Sequence, residues 1–283
     1  MFFAQLKNEL WKLFGKKRTY IGFGAFVVAL SAMLLIFKYT HWQPNLEGIL
    51  SVHGYLASEY ISVLTVALIM IFPQVALLMP LYVTLVGGDL VAKEAEDGTL
   101  RMILSRPVSR VRLLLVKWIA GIIFTAVLVV ALGVIALGFA GVCYPWRGMF
   151  VFGQIQPGAD MTFSLFTAHQ GLVLFAVSHV FIVINTITLM SVAFMFSCFN
   201  MKPAAATILA LSFMFVSMVM ERIPFFDAYQ DWFITHHLEC WFLIFQQPTP
   251  WQEIYQSELI LAATSATAFI IGVMGFQVRD IKS

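Results

Sequence analysis

Long apolar runs separated by short charged stretches dominate this chain, and the run lengths predict membrane-crossing helices. A hydrocarbon layer of ~30 Å takes about 20 residues of helix. Six runs of that kind lie near 20–37, 61–86, 111–142, 171–199, 204–220 and 259–277. Pro73 and Pro80 interrupt the second and predict a kink there, tolerated in lipid where neighbours re-satisfy the freed carbonyls. The third carries Gly121, Gly133, Gly138 and Gly141, which permit close helix approach. Ahead of the first run, Phe2, Phe3, Leu6, Leu10, Leu13 and Phe14 fall near helical spacing, with Lys7, Lys12, Lys16, Lys17 and Arg18 between them. Residues 1–18 therefore read as an amphipathic helix lying on the cytoplasmic leaflet, cations among anionic headgroups. The run at 20–37 is too long for the core of a cleavable signal, so it reads as a retained anchor. Between the fifth and sixth runs, 221–257 interleaves aromatic residues with Glu221, Asp227, Asp231 and Glu239. Its apolar stretches are too short to span, which predicts short helices lying in or dipping into the outer interface.

Composition sharpens this picture. The chain has 283 residues, 60% hydrophobic and 11% charged, too few polar groups to clothe a soluble core. Its net charge of +2 says little, but the distribution of charge is informative. With both termini inside, 14 of the 17 Lys and Arg residues fall on the inner side, leaving Lys38, Arg147 and Arg222 outside. That matches the positive-inside rule. Three cysteines cannot make a disulfide framework, although Cys143 and Cys240 share the outer side and are open to pairing if that side is oxidising. His236, His237, Glu239 and Cys240 form a tempting metal cluster, but only the pairs three apart share a helical face. An interfacial polar patch is the better reading, and no metal is expected. Within the fourth run, His179 and Asn185 either hydrogen-bond neighbouring helices or line a substrate path. No Walker A pattern occurs; Gly15-Lys16-Lys17 lacks its upstream Gly and its Ser/Thr. Any ATPase that powers the protein is therefore another chain.

The densest charged segment, residues 87–110, sits between the second and third runs. Gly98 can take the positive φ that closes a helix, Thr99 can cap the turns to Leu104, Pro107 stops them, and Ser109 caps the next helix. The result is a short, rigid helix between two spans, with basic groups exposed. Asp89, Glu94, Gly98-Thr99-Leu100-Arg101, Leu104-Ser105, Pro107, Ser109-Arg110 and then Lys117 together resemble the signature of ABC-2-type transporter permeases. The resemblance is closest to small permeases of the bacitracin-resistance, sodium-export and nitrous-oxide-reductase-maturation type. It is close over about thirty residues, and the six-span layout extends it along the chain.

The resemblance implies an all-α membrane domain over 19–283 with six transmembrane helices and short outer re-entrant helices, preceded by the interfacial helix at 1–18. It implies that 87–110 carries a coupling helix for a separate ATPase, with Asn200, Lys202 and Pro203 forming a second cytoplasmic turn. Two permease chains, identical or related, would pair with two ATPase subunits in a bacterial cytoplasmic membrane. ATP and Mg would sit on the ATPase; this chain would hold no cofactor and be non-catalytic itself. Membrane lipids are expected partners and nucleic acid is not. Within the loop, charge pairing of Glu94 with Arg110 is the natural internal pin. The aromatic outer half suits an amphiphilic export substrate. Three alternatives compete: a subunit that transmits force to an external partner, a secondary transporter, and an intramembrane enzyme. Against the last two, Val86-Gly87-Gly88-Asp89 falls short of Gly-x-Gly-Asp, no His-Glu-x-x-His occurs, and no inverted repeat is evident.

Overall fold

In a computed structural model, residues 2–104, 109–153 and 163–278 are described, apart from the side chains at 101, 103 and 104. Among the described residues six helices are long and apolar enough to cross a membrane. Together with a near absence of sheet they make an all-α, multi-pass integral membrane protein.

The chain opens with α1 (Phe2–Gly15), turns at Lys16 and enters the first span, α2 (Lys17–Tyr39). Two short helices follow, α3 (Trp42–Val52) and α4 (Ala57–Tyr60), in a stretch that the hydrophobic pattern marks only as a connection. The second span combines α5 (Val63–Pro73) and α6 (Met79–Glu96), joined by a π-helical turn over Gln74–Leu78. The kink expected from Pro73 is therefore a π-bulge, one of the few ways a helix absorbs a break without losing its path. Gly98, at φ 73°, ends the second span, and α7 (Thr99–Leu104) follows. The third span is α8 (Arg110–Cys143), capped by Ser109, whose Oγ accepts from the Arg112 N–H at 3.3 Å.

The helix ends at Cys143, one residue past the expected run, and a small hairpin follows. Its strands, β1 (Met149–Phe152) and β2 (Phe163–Phe166), are antiparallel with Met149 opposite Phe166. The stacked rings of Phe150 and Phe163, 5.5 Å apart, anchor it on one face, and the Thr65 hydroxyl accepts from the Phe150 N–H at 2.9 Å. The fourth span, α9 (Ala168–Cys198), starts at a capping box of Thr167 and Gln170. It is the central helix, packed against the second, third, fifth and sixth spans. The fifth span is α10 (Pro203–Glu221). After it come a 3₁₀ turn over Pro224–Trp232, α11 (Ile234–Leu238) and α12 (Cys240–Leu243), the short helices expected of 221–257. The last span, α13 (Trp251–Val278), begins eight residues before position 259, because Trp251 to Ser257 continue the same helix with a polar face.

Between helices already in lipid the hydrophobic effect supplies little, and packing with interhelical hydrogen bonds holds the bundle. Of the third-span glycines, Gly121 lies against Met190 and Leu90 and Gly133 against the His179 ring, whereas Gly138 and Gly141 face open space. Trp118 donates its indole N–H to Ser191 at 2.8 Å, and Thr188 bridges to Ser265 at 3.0 Å.

Candidate functional site

The end of the bundle that gathers α1, the Gly98 turn, Ser109, the Phe199–Pro203 turn and the end of α13 carries most of the charge and is termed the basic end. The Gly87-Gly88-Asp89 triplet organises it. A Cβ on Gly87 would stand 2.5 Å from the Met190 carbonyl oxygen of α9. One on Gly88 would stand 2.5 Å from Thr207 Oγ1 and 3.3 Å from the Pro203 carbonyl of α10. Adjacent glycines thus let the second span touch two neighbours on two faces. Asp89, buried on a third face, forms an ion pair with Arg18 at the start of the first span.

One turn further along α6, Glu94 enters a closed square of charges. Lys117 Nζ lies 2.8 Å from Glu94 and 2.9 Å from Glu9, and Lys12 Nζ lies 2.7 Å from Glu9 and 3.0 Å from Glu94. Lys117 belongs to α8 and is 1% exposed; Glu9 is buried on the inner face of α1, beside Leu13. Two carboxylates and two ammonium groups therefore neutralise one another where α1, α6 and α8 meet. Burial works to raise the pKa of Glu9, but the charge of Lys117 and hydrogen bonds from Lys12 and Lys117 outweigh it and hold the carboxyl below its usual range. For Lys12 burial works the other way, and bonding to Glu9 and Glu94 leaves the ammonium raised.

This arrangement corrects two sequence expectations. Glu94 does not pair with Arg110, because its helix carries it inward to Lys117 and Lys12. Arg110 instead donates to the Gln277 and Phe276 carbonyls at 3.2 and 3.4 Å, closing the C-terminal end of α13, and its guanidinium lies over the Phe276 ring. Thr99 does not cap α7; it is the first residue of that helix, and its hydroxyl donates back to the Glu94 carbonyl at 3.2 Å. That bond straps the start of α7 to the end of α6 across Gly98. Residues 87–96 are also span rather than loop. Leu100 is buried against the core. The Arg101 and Leu104 side chains, Ser105, Pro107 and the cations at 279 and 282 lie outside the described residues. Asn200 and Lys202 are exposed in the turn before α10, while Pro203 is buried against Gly88.

Residues 6–230 match the family described as ABC-2 family transporter protein. The chain belongs to that family. A search among curated proteins found no match. Family membership makes it the membrane-embedded permease part of an ABC transporter, a type of subunit that is generally non-catalytic, associates with an ATPase and dimerises.

The remaining sequence candidates separate at the far end of the permease. His179 bonds the Phe175 carbonyl within its own helix at 2.6 Å and packs against Gly133. Asn185 donates to the Leu238 carbonyl at 2.7 Å, tying α11 to the fourth span. Only the Asn185 bond joins two helices; the His179 bond is internal to its own. The metal-like cluster disperses, because each member has another partner. His236 faces Glu221 at 3.4 Å and Asp231 at 3.8 Å; Glu239 pairs with Arg222 at 3.3 Å. His237 bridges the Ser257 hydroxyl and the Asp231 carbonyl, both at 3.0 Å. Cys240 is buried and donates to Glu258 at 3.2 Å, while Cys143 is exposed near Lys38; both are thiols, so the pairing left open by their shared side is not made. Burial, with Glu258 beside it, pushes the Cys240 thiol well above its ordinary pKa.

Sequence reasoning missed Glu9 and Arg18 as members of the site. Glu9 is the only acid among the first eighteen residues and falls among Leu6, Leu10 and Leu13. An acid on the apolar stripe of an amphipathic helix is the signal that identifies a buried ion pair.

Proposed function

We propose that the chain is the permease subunit of an ATP-driven exporter, in which a separate ATPase drives α7 and α1 as one body with the second and third spans. The carrying observation is the buried square of Glu9, Lys12, Glu94 and Lys117 beside α7. A short helix between two long ones transmits force only if its joints are stiff. Stiffness at the first joint comes from the Thr99–Glu94 strap, and at the second from the Ser109 cap. The ionic square makes α1 part of the lever, so displacement of α7 is passed to α6, α8 and α1 together. The glycine contacts at 87 and 88 hand it to α9 and α10. Asp89, Glu94, Gly98, Thr99, Leu100, Ser109, Arg110 and Lys117 serve as the coupling set.

On this reading both termini and the basic end are cytoplasmic, in a bacterial inner membrane, and two permease chains work with two ATPase chains that hold ATP and Mg. The cargo is an amphiphile, favoured by the aromatic far end, where Phe225 and Trp232 are 79% and 84% exposed. Co-purification with the cognate ATPase, followed by hydrolysis assays on wild type and Gly98→Pro, tests the scheme. A stable complex whose substrate-stimulated hydrolysis is lost in the variant supports it. Failure of any ATPase to bind, or unchanged stimulation in the variant, removes it.

A further inference from the structure

Between α1, the start of α2 and the second span opens a surface crevice lined in part by Lys16, Arg18, Tyr82, Leu85, Val86 and Asp89. Its chemistry is two-sided. Lys16 and Arg18 stand with the Tyr82 hydroxyl, which donates to the Thr19 carbonyl at 3.1 Å, while the half-buried Leu85 and Val86 supply apolar wall. The charge count around it does not close. Lys12 and Lys117 are matched by Glu9 and Glu94, and Arg18 by Asp89. Among the described residues Lys16 and Lys17 have no acidic partner. Lys16 is also held below its ordinary pKa by burial and by its cationic neighbours Arg18 and Lys117, although Glu94 and Glu9 pull the other way. An anion placed there would relieve that repulsion.

The position in the bundle decides which anion. Lys17 is the first residue of a membrane span, and Trp11, Tyr20 and Ile21 around the turn are 72%, 66% and 70% exposed. Aromatic rings and lysines at the mouth of a span are the furniture of the headgroup layer. A free phosphate would use the cations and leave the apolar wall bare; an acyl chain below a phosphate uses both.

We infer that this crevice binds one anionic phospholipid, its phosphate against Lys16, with the charge of Lys17 next to it in the chain, and the first carbons of a chain against Leu85 and Val86. The bound lipid would sit beside the Arg18–Asp89 pair, so lipid composition bears directly on how α2 is fastened to α6. This rests on the reading that α1 lies on the membrane surface, but not on any assumption about cargo.

The test is native mass spectrometry of the full chain released from vesicles of equimolar phosphatidylglycerol and phosphatidylcholine. Wild type should retain phosphatidylglycerol in preference, and Lys16→Gln/Lys17→Gln should lose that preference by about 30-fold, at roughly fivefold per cation. Lys7→Gln, on the exposed side of α1, should retain it. No preference in wild type, or an equal preference in the double variant, overturns the inference. So does loss of the preference on adding inorganic phosphate, which would mark a simple anion site. Should the double variant fail to insert, a headgroup-photoactivatable phosphatidylglycerol on wild type must crosslink to peptides containing residues 16–19 or 82–89; crosslinks only elsewhere refute it. Quenching of Trp11 by brominated lipid reports separately whether α1 lies on the surface at all.

Discussion

Replacing Lys117 by Met keeps a side chain of similar length and removes the charge that the ionic square is built around. Lys117 is 1% exposed, donates a charge-assisted hydrogen bond to Glu9 at 2.9 Å and forms an ion pair with Glu94 at 2.8 Å. The hydrogen bond is worth about 1.5–3 kcal/mol on its own. The larger effect is what remains: Glu9 and Glu94 face each other with only the partly exposed Lys12 between them. Stranding a buried charge by deleting its partner costs about 3–5 kcal/mol, a large share of the ~5–15 kcal/mol that holds a domain folded. Unfolding in mixed micelles with increasing denaturing detergent should show a loss of that size. Hydrogen exchange should locate the first release in residues 2–15. Glu94→Gln removes the opposing charge, so the double variant Glu94→Gln/Lys117→Met should recover about 2 kcal/mol relative to additivity. If Lys117→Met lies within about 1 kcal/mol of wild type, or the two changes simply add, the square does not fasten α1 and its part in the lever fails.

Other consequences are equally specific. Glu9 is lowered and Lys12 raised, so the Glu9 contribution is full above the carboxyl's unfolded value and fades as pH falls through its lowered folded one. The Lys12 contribution is full below its unfolded value and fades as pH rises through its raised folded one. Exchange protection of α1, corrected for intrinsic rates, should therefore plateau at neutral pH and drop at both extremes; a monotonic profile contradicts this. Gly87→Ala should cost about 1–3 kcal/mol by forcing the second span off α9, whereas Gly98→Ala, with open space around it but φ 73°, should cost about 1 kcal/mol; equal losses in a thermal assay would show that backbone strain and packing have been misassigned. In native membranes without reductant, maleimide should label exposed Cys143 and spare buried Cys240 until the protein is unfolded; prior protection of both thiols would mean that they are paired.

Much of the bundle is legible in the sequence because hydrocarbon imposes a simple rule: about 20 apolar residues or no crossing. That rule finds all six spans and misplaces their ends, since Trp251 to Ser257 and Gly87 to Glu96 are helical yet polar enough to break an apolar run. The β1–β2 hairpin escapes for another reason. Four-residue strands such as Met149–Phe152 have no periodicity to distinguish them from a short apolar loop, and only the backbone pairing that sets Phe150 against Leu165 and Phe152 against Phe163 makes them strands.

The ionic square marks where sequence reading stops. Local rules predict that Glu94 and Arg110 can meet, because both belong to one segment, and they place Ser109 correctly as a cap because capping is local. Whether a charge turns inward depends on the helix that arrives from elsewhere. Lys117 becomes buried only because α1 brings Glu9 to it across 108 positions of sequence. A buried lysine without that helix would be intolerable, and a buried glutamate on α1 without the lysine equally so. Each charge therefore enforces the docking of the other's element, which fastens an N-terminal helix to the coupling segment more selectively than apolar contact would. In lipid, apolar contact distinguishes poorly between neighbours. A joint made of four mutually dependent charges has few ways to slip, and a lever that must move two spans at once needs that property where the force enters.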